Sequence, residues 1–176
     1  MPATGRRLTA RFRCYASPRL TDLSAPAEAC AGCGLHIAGG TAGCQALFDE
    51  FRVREVAELA LSYAPTRLTI DVYCLQHPER YCVSAKSLAA HLTGLCWALE
   101  HGISEGGLRL LQRRLDTRRD LVKPPIPAAR GKLTVADVAA VAGPDEYMRA
   151  LDRWARSTWE AYADLHETAR AWIGPG

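Results

Sequence analysis

The sequence predicts an all-α protein, a bundle of about five helices behind a cysteine-rich N-terminal loop. Three observations predict it. Apolar residues recur at three- and four-residue steps through most of residues 45–172, the spacing that lines one face of a helix. No two alternating segments are joined by a hairpin turn signal. Three cysteines, Cys30, Cys33 and Cys44, gather in a Gly-rich stretch of small residues without apolar periodicity.

The elements follow in order. Residues 1–22 carry Arg6, Arg7, Arg11, Arg13 and Arg19 with little apolar pattern and read as a flexible basic arm; residues 23–176 read as a single domain. Residues 23–44 are expected to be a loop. From Gln45 to about Ser62, Leu47, Phe51, Val53, Val56 and Leu59 mark a first helix, which Ala64-Pro65 should end. Thr66 to His77 is short and strongly apolar (Leu68, Ile70, Val72, Tyr73, Leu75). Its β-branched content permits a strand, but no partner strand follows, so it is read as a helix stopped by Pro78.

Ser84 to about Glu100 carries the clearest stripe, Leu88, Leu92, Leu95 and Leu99, with Gly102 as its stop. Ser104 can cap a helix to about Arg119, with Leu108, Leu111 and Leu115 inward. Lys123-Pro124-Pro125-Ile126-Pro127 is a stiff extended linker. Thr134-Val135-Ala136-Asp137 opens a short helix with a capping box. A last helix is expected from Pro144 to Trp172, burying Tyr147, Leu151, Trp154, Thr158, Tyr162, Leu165 and Ala169.

Composition narrows the function. Charged residues at 23% and hydrophobic residues at 48% are ordinary for a globular domain. A net charge of +3 is too small to point to nucleic acid. The basic excess over residues 106–132 follows the outer face of a helix and has no interleaved aromatics for base stacking. No apolar run is long enough to span a membrane, and no secretory leader precedes the seven cysteines. A cytoplasmic location, with thiols rather than disulfides, is therefore expected. Phosphate loops, serine elbows, H-E-x-x-H and dinucleotide fingerprints are absent.

What remains is metal chemistry. Cys30-Ala-Gly-Cys33 on a tight turn can aim two sulfurs at one small volume, and Cys44 adds a third. Three thiolates favour Zn²⁺ and leave it one ligand short. His36 is the local candidate, but it would crowd the turn. His77 lies at a helix end before Pro78, from which its ring can project toward the loop; alternatively it only caps the helix carbonyls. The expected site is Cys30, Cys33, Cys44 and His77. A second constellation is His91 and His166, each near the apolar face of its helix, with Asp71 as a partner for either or for an arginine. These three are the candidate catalytic residues, with Glu160 a further acid–base partner. Cys74, Cys82 and Cys96 read as buried, inert thiols.

Several of these segments resemble a family of small bacterial proteins of unknown function. They are Cys30-Ala-Gly-Cys33-Gly34, Cys44 with Phe48, and Leu68-Thr69-Ile70-Asp71-Val72-Tyr73-Cys74-Leu75-Gln76-His77-Pro78. His91-Leu92-Thr93-Gly94-Leu95 and Trp154-Ala155 through Trp159-Glu160-Ala161 to His166 also fit. The resemblance implies that His77 joins the three cysteines, and it draws attention to His91 and His166. Where many relatives carry a histidine just before the segment that matches Leu68-Thr69-Ile70, this chain has Arg67. The resemblance supplies no reaction. The expectation is a zinc-binding module for a partner protein or a small molecule. The alternative is a metal-dependent lyase, cyclase or hydrolase of a biosynthetic pathway.

Overall fold

A computed structural model describes residues 26–57, 59 and 61–174; the expected basic arm lies outside them. The described chain is mostly helical, as expected, with eight helices rather than about five. The added elements come from places where the sequence suggested a loop or a continuous helix.

The cysteine-rich stretch is the main correction. It is a small antiparallel hairpin, β1 (Ala27–Ala29) and β2 (His36–Ala38), in the register Ala27↔Ala38 and Ala29↔His36. The Cys30 N–H continues the ladder to the Leu35 carbonyl at 2.8 Å, and the Gly34 N–H returns to the Cys30 carbonyl at 2.9 Å. Gly34 has φ +77°, a left-handed conformation that a residue with a Cβ adopts only with strain. Three-residue strands around a six-residue turn are too short to leave an alternating apolar signal. Helix α1 (Gly40–Ala57) then begins five residues earlier than expected, so Cys44 stands in a helix and not on a loop.

Helix α2 (Tyr63–Gln76) begins earlier too, because Pro65 falls in its first turn. Proline's missing N–H has no intrahelical partner to lose there. Pro78 ends α2 and opens the single turn α3 (Pro78–Tyr81). α4 (Ala85–His101) starts on a capping box, the Ser84 hydroxyl accepting from the Ser87 N–H at 3.0 Å. α5 (Glu105–Thr117) is capped by Ser104, and α6 (Val135–Ala139) by the reciprocal Thr134–Asp137 box. The expected last helix is two, α7 (Pro144–Ala161) and α8 (His166–Ile173), separated by a 3₁₀ turn at Ala163–Leu165. The break falls at Tyr162, whose hydroxyl turns inward to donate to the Leu75 carbonyl at 2.6 Å.

α2 is the central helix. It packs on α4 and α7, while α4 also meets α5 and α8, and α6 joins α1 to α7. Leu75, Leu88, Leu92, Leu95, Leu151 and Trp154 are fully buried at the centre. Two polar clusters are sealed inside. Gln76 donates to the carbonyls of Arg130 (2.8 Å) and Leu133 (2.7 Å) and accepts from the Trp154 indole at 3.0 Å. Its amide thereby ties the segment before α6 and the middle of α7 to the end of α2. Glu55 accepts from the Thr69 hydroxyl at 2.5 Å, and from Tyr147 and Arg52. No described helix is long and apolar enough to cross a membrane.

Candidate metal centre

Three elements meet where the hairpin touches the end of α2. The hairpin turn supplies Cys30 and Cys33, the second turn of α1 supplies Cys44, and the residue closing α2 supplies His77. Their four ligand atoms all lie within 4.8 Å of one another. Cys33 Sγ is 3.7 Å from Cys44 Sγ, and His77 Nε2 is 3.4 Å from Cys30 Sγ and 3.5 Å from Cys44 Sγ. Cys30, Cys44 and His77 are buried, and Cys33 is half-buried. The cysteines are free thiols, not a disulfide.

The imidazole is held in one tautomer. Its Nδ1 lies 2.8 Å from the Tyr73 carbonyl, which can only accept, so Nδ1 carries a hydrogen and Nε2 is the ring atom that faces the sulfurs. His77 thus satisfies a helix-end carbonyl and joins the cluster as well. Its ring stacks at 4.0 Å on Tyr73, which stacks in turn at 3.7 Å on Phe48 of α1. A Cβ on Gly32 would collide with this ring, so the turn can approach only with glycine there.

The local charges suit a cation. Burial alone would raise the Cys30 thiol. The backbone N–H groups of Cys33 and Gly32, together with His77, more than offset this and hold it below its ordinary value. Cys33 is held down to about 4, first by a hydrogen bond from Cys44, against the effect of burial and with help from His77 and the Leu35 N–H. Cys44 is pushed far up because it keeps the proton that Cys33 gives away, in a buried setting beside two other sulfurs. His77 is raised despite its burial, because Cys33 and the Tyr73 carbonyl bind its protonated form. Three sulfurs this close cannot all ionise without a positive charge among them. A metal ion would supply that charge, and among the described residues this is the one group of His, Cys, Asp and Glu side chains placed so that it could hold one.

The other candidate residues separate into two places. Asp71, 1% exposed, accepts from His91 Nδ1 at 2.8 Å and from Arg67 Nε at 2.8 Å, both on Oδ1. His166 stacks on Trp159 at 3.7 Å and donates from Nε2 to the Trp159 carbonyl at 2.8 Å. Glu160 is exposed, as is His36 on β2. Cys74, Cys82 and Cys96 are buried, each pushed up to about 12 by that burial. In the basic segment, Arg109, Arg118 and Arg130 pair with Glu105, Asp120 and Glu79, and Arg114 caps the Ile173 carbonyl.

Sequence reasoning missed the supporting residues. Tyr73 reads as one more apolar residue, although it is the plate beneath His77. Gln76 carries a signal that was available: an amide next to the ligand, in a helix otherwise apolar at that end, must be satisfied from outside the helix.

No curated protein and no solved structure matches the chain. A family model does match residues 28–163, an interval that contains all four cluster residues, Asp71 and His91 and stops short of His166. With well over half of its length inside that match, the chain belongs to DUF5946, a family of unknown function.

Proposed function

We propose that Cys30, Cys33, Cys44 and His77 hold a structural zinc ion. In this reading the protein is a cytoplasmic binding module that takes a partner protein or a small molecule beside that ion. Spacing carries the reading. Tetrahedral zinc with sulfur at 2.3 Å and nitrogen near 2.0 Å sets sulfur–sulfur edges of about 3.8 Å and sulfur–nitrogen edges of about 3.5 Å. Here the Cys33–Cys44 edge is 3.7 Å, the Cys30–His77 and Cys44–His77 edges are 3.4 and 3.5 Å, and the remaining edges are within 4.8 Å. Four protein ligands fill a tetrahedron and leave no position for water, the arrangement of a site that stabilises a fold.

A cleft of about 160 Å³ borders the cluster, lined by Gly32, Thr41, Gln45, Tyr73, His77 and Tyr81. The Tyr81 hydroxyl donates to Gln45 at 2.5 Å, and Tyr73 lies 3.5 Å from the same oxygen. Glu79 and Arg80 also line it, and its aromatic walls suit a ligand held by packing with a polar group at one end.

Elemental analysis and thiol counting test the proposal. About one zinc per chain is expected, with three thiols gaining reactivity when a chelator removes it. Cys33→Ala should lose the metal and melt well below the wild type. A Cys33→Ala protein that keeps stoichiometric zinc and full stability overturns the reading.

One observation favours a second reading, a metal-dependent enzyme such as a lyase, cyclase or hydrolase of a biosynthetic pathway. The buried Asp71 carboxylate orients His91 as an acid–base pair is oriented. His91→Gln would then leave folding intact and abolish turnover, while a stability loss with no change in any activity removes this reading.

A further inference from the structure

We infer that the cavity between α2, α4 and α5 is a binding site for a small carboxylic acid with an apolar tail, anchored by Arg67. The cavity measures about 170 Å³. Tyr63 and Arg67 of α2 form one side and Ala90 and Gly94 of α4 the floor. Leu108, Leu111 and Leu115 of α5 form an apolar wall, with Glu105, Arg109 and Gln112 also lining the space.

Arg67 is held in a built setting. Its Nε donates to Asp71 Oδ1 at 2.8 Å, and the same oxygen accepts from His91 Nδ1 at 2.8 Å. The other carboxylate oxygen, Oδ2, is buried without a hydrogen-bond partner and lies against Gly94, where a side chain would collide with it. Asp71 therefore acts as a positioning residue that fixes the guanidinium by one nitrogen. Beyond Asp71, the Tyr63 phenol oxygen is the other group near the Arg67 guanidinium, and it stands at the same cavity. Helix packing alone gives no reason for this arrangement. An ion pair withdrawn from water often holds two helices together no better than apolar residues of like volume.

The ligand class follows from the donors and the walls. Two parallel N–H groups of a guanidinium match the two oxygens of a carboxylate. The leucine wall takes an apolar tail. Asp71 behind Arg67 opposes the second charge of a phosphate monoester, while Glu105 and Arg109 at the same cavity offset one another as a pair. Arg67 and His77 are ten residues apart on α2, roughly 15 Å along its axis. The inference does not rest on the metal centre, and each can fail alone.

The test is an NMR titration of the full, metal-loaded chain with sodium benzoate at constant ionic strength, run beside benzamide and inorganic phosphate. Saturating shifts are expected at the Gly94 and Leu111 amides with benzoate alone. Arg67→Gln should weaken benzoate by about tenfold or more, and Arg67→Lys, which keeps the charge without the fork, by less. Ala90→Leu fills the cavity while leaving the Arg67–Asp71 pair in place, and should also abolish binding; it serves if the Arg67 variants fail to fold. Shifts that do not saturate overturn the inference. So does benzoate binding that survives both Arg67→Gln and Ala90→Leu, or binding of benzamide or phosphate as tight as that of benzoate.

Discussion

The His77 ring occupies the space that a Cβ on Gly32 would need, so the Cys30–Cys33 turn and the end of α2 meet at a residue without a side chain. The Gln76 carbonyl stands 2.9 Å from the same point, so moving the ring aside does not relieve the collision. Gly32→Ala should therefore push the Cys30–Cys33 turn off His77. A loss of about 1–3 kcal/mol, the usual cost of forced overpacking, is expected. Metal affinity should fall with it, measured by competition with a chromophoric chelator. A Gly32→Ala protein with wild-type affinity would show that the turn does not sit on the ring.

Gln76→Leu is close to isosteric but strands three partners: the Arg130 and Leu133 carbonyls and the Trp154 indole. Each buried group left unpaired costs about 1–3 kcal/mol, so the variant should lose about 3 kcal/mol or more in urea unfolding. A variant within about 0.5 kcal/mol of the wild type would mean that water reaches these groups.

Burial sorts the thiols by reactivity. Cys74, Cys82 and Cys96, each pushed up to about 12, hold on the order of one part in ten thousand thiolate at pH 8. Native alkylation followed by peptide mass spectrometry should leave these three unmodified before and after chelation. Cys30 and Cys33, held below their ordinary values, should become modified after chelation, and Cys44 should follow only as the loosened hairpin uncovers it. Rapid native labelling of Cys96 would contradict its burial.

Glu55 gives stability a pH slope. Burial raises its carboxyl above the ordinary 4.5, despite hydrogen bonds from Thr69 and Tyr147 and the charge of Arg52. Below pH 4.5 both native and unfolded chains hold the proton, and the group's contribution is complete. As pH rises, the unfolded chain releases its proton first, and stability declines until the native carboxyl ionises as well. Glu55→Gln removes this slope, so the variant should gain on the wild type as pH rises from 4.5 toward 7 in urea midpoints. A difference that does not change with pH overturns the assignment.

The helices were legible wherever one face was apolar throughout. Leu88, Leu92 and Leu95 are wholly buried as their spacing requires, and Ser84, Ser104 and Thr134 cap the helices they precede. The cluster was legible because its chemistry is confined to a few residue types, and sulfur spacing with a helix-ending histidine leaves few combinations. What was not legible depended on contacts distant in sequence. The β1–β2 hairpin is too short to alternate, and Pro65 reads as a stop or a start according to which side of it packs. The break at Tyr162 exists because a hydroxyl reaches a carbonyl 87 residues away. The pairing of Asp71 with both Arg67 and His91 required knowing which faces of α2 and α4 touch.

The ligands that gather at His77 come from chain segments 47 residues apart at their widest. An ion joining them acts as a clasp on a long loop, and a cross-link of that span restricts the unfolded chain by roughly 4 kcal/mol. The hairpin adds Leu35 and Ile37 to the edge of the core, both only half-buried, while Ala27–Ala29 face solvent. Its attachment therefore depends on the clasp, whereas the leucine centre of α2, α4 and α7 does not. If the cluster holds its ion, a chelator should undo the front end of the molecule and spare the rest.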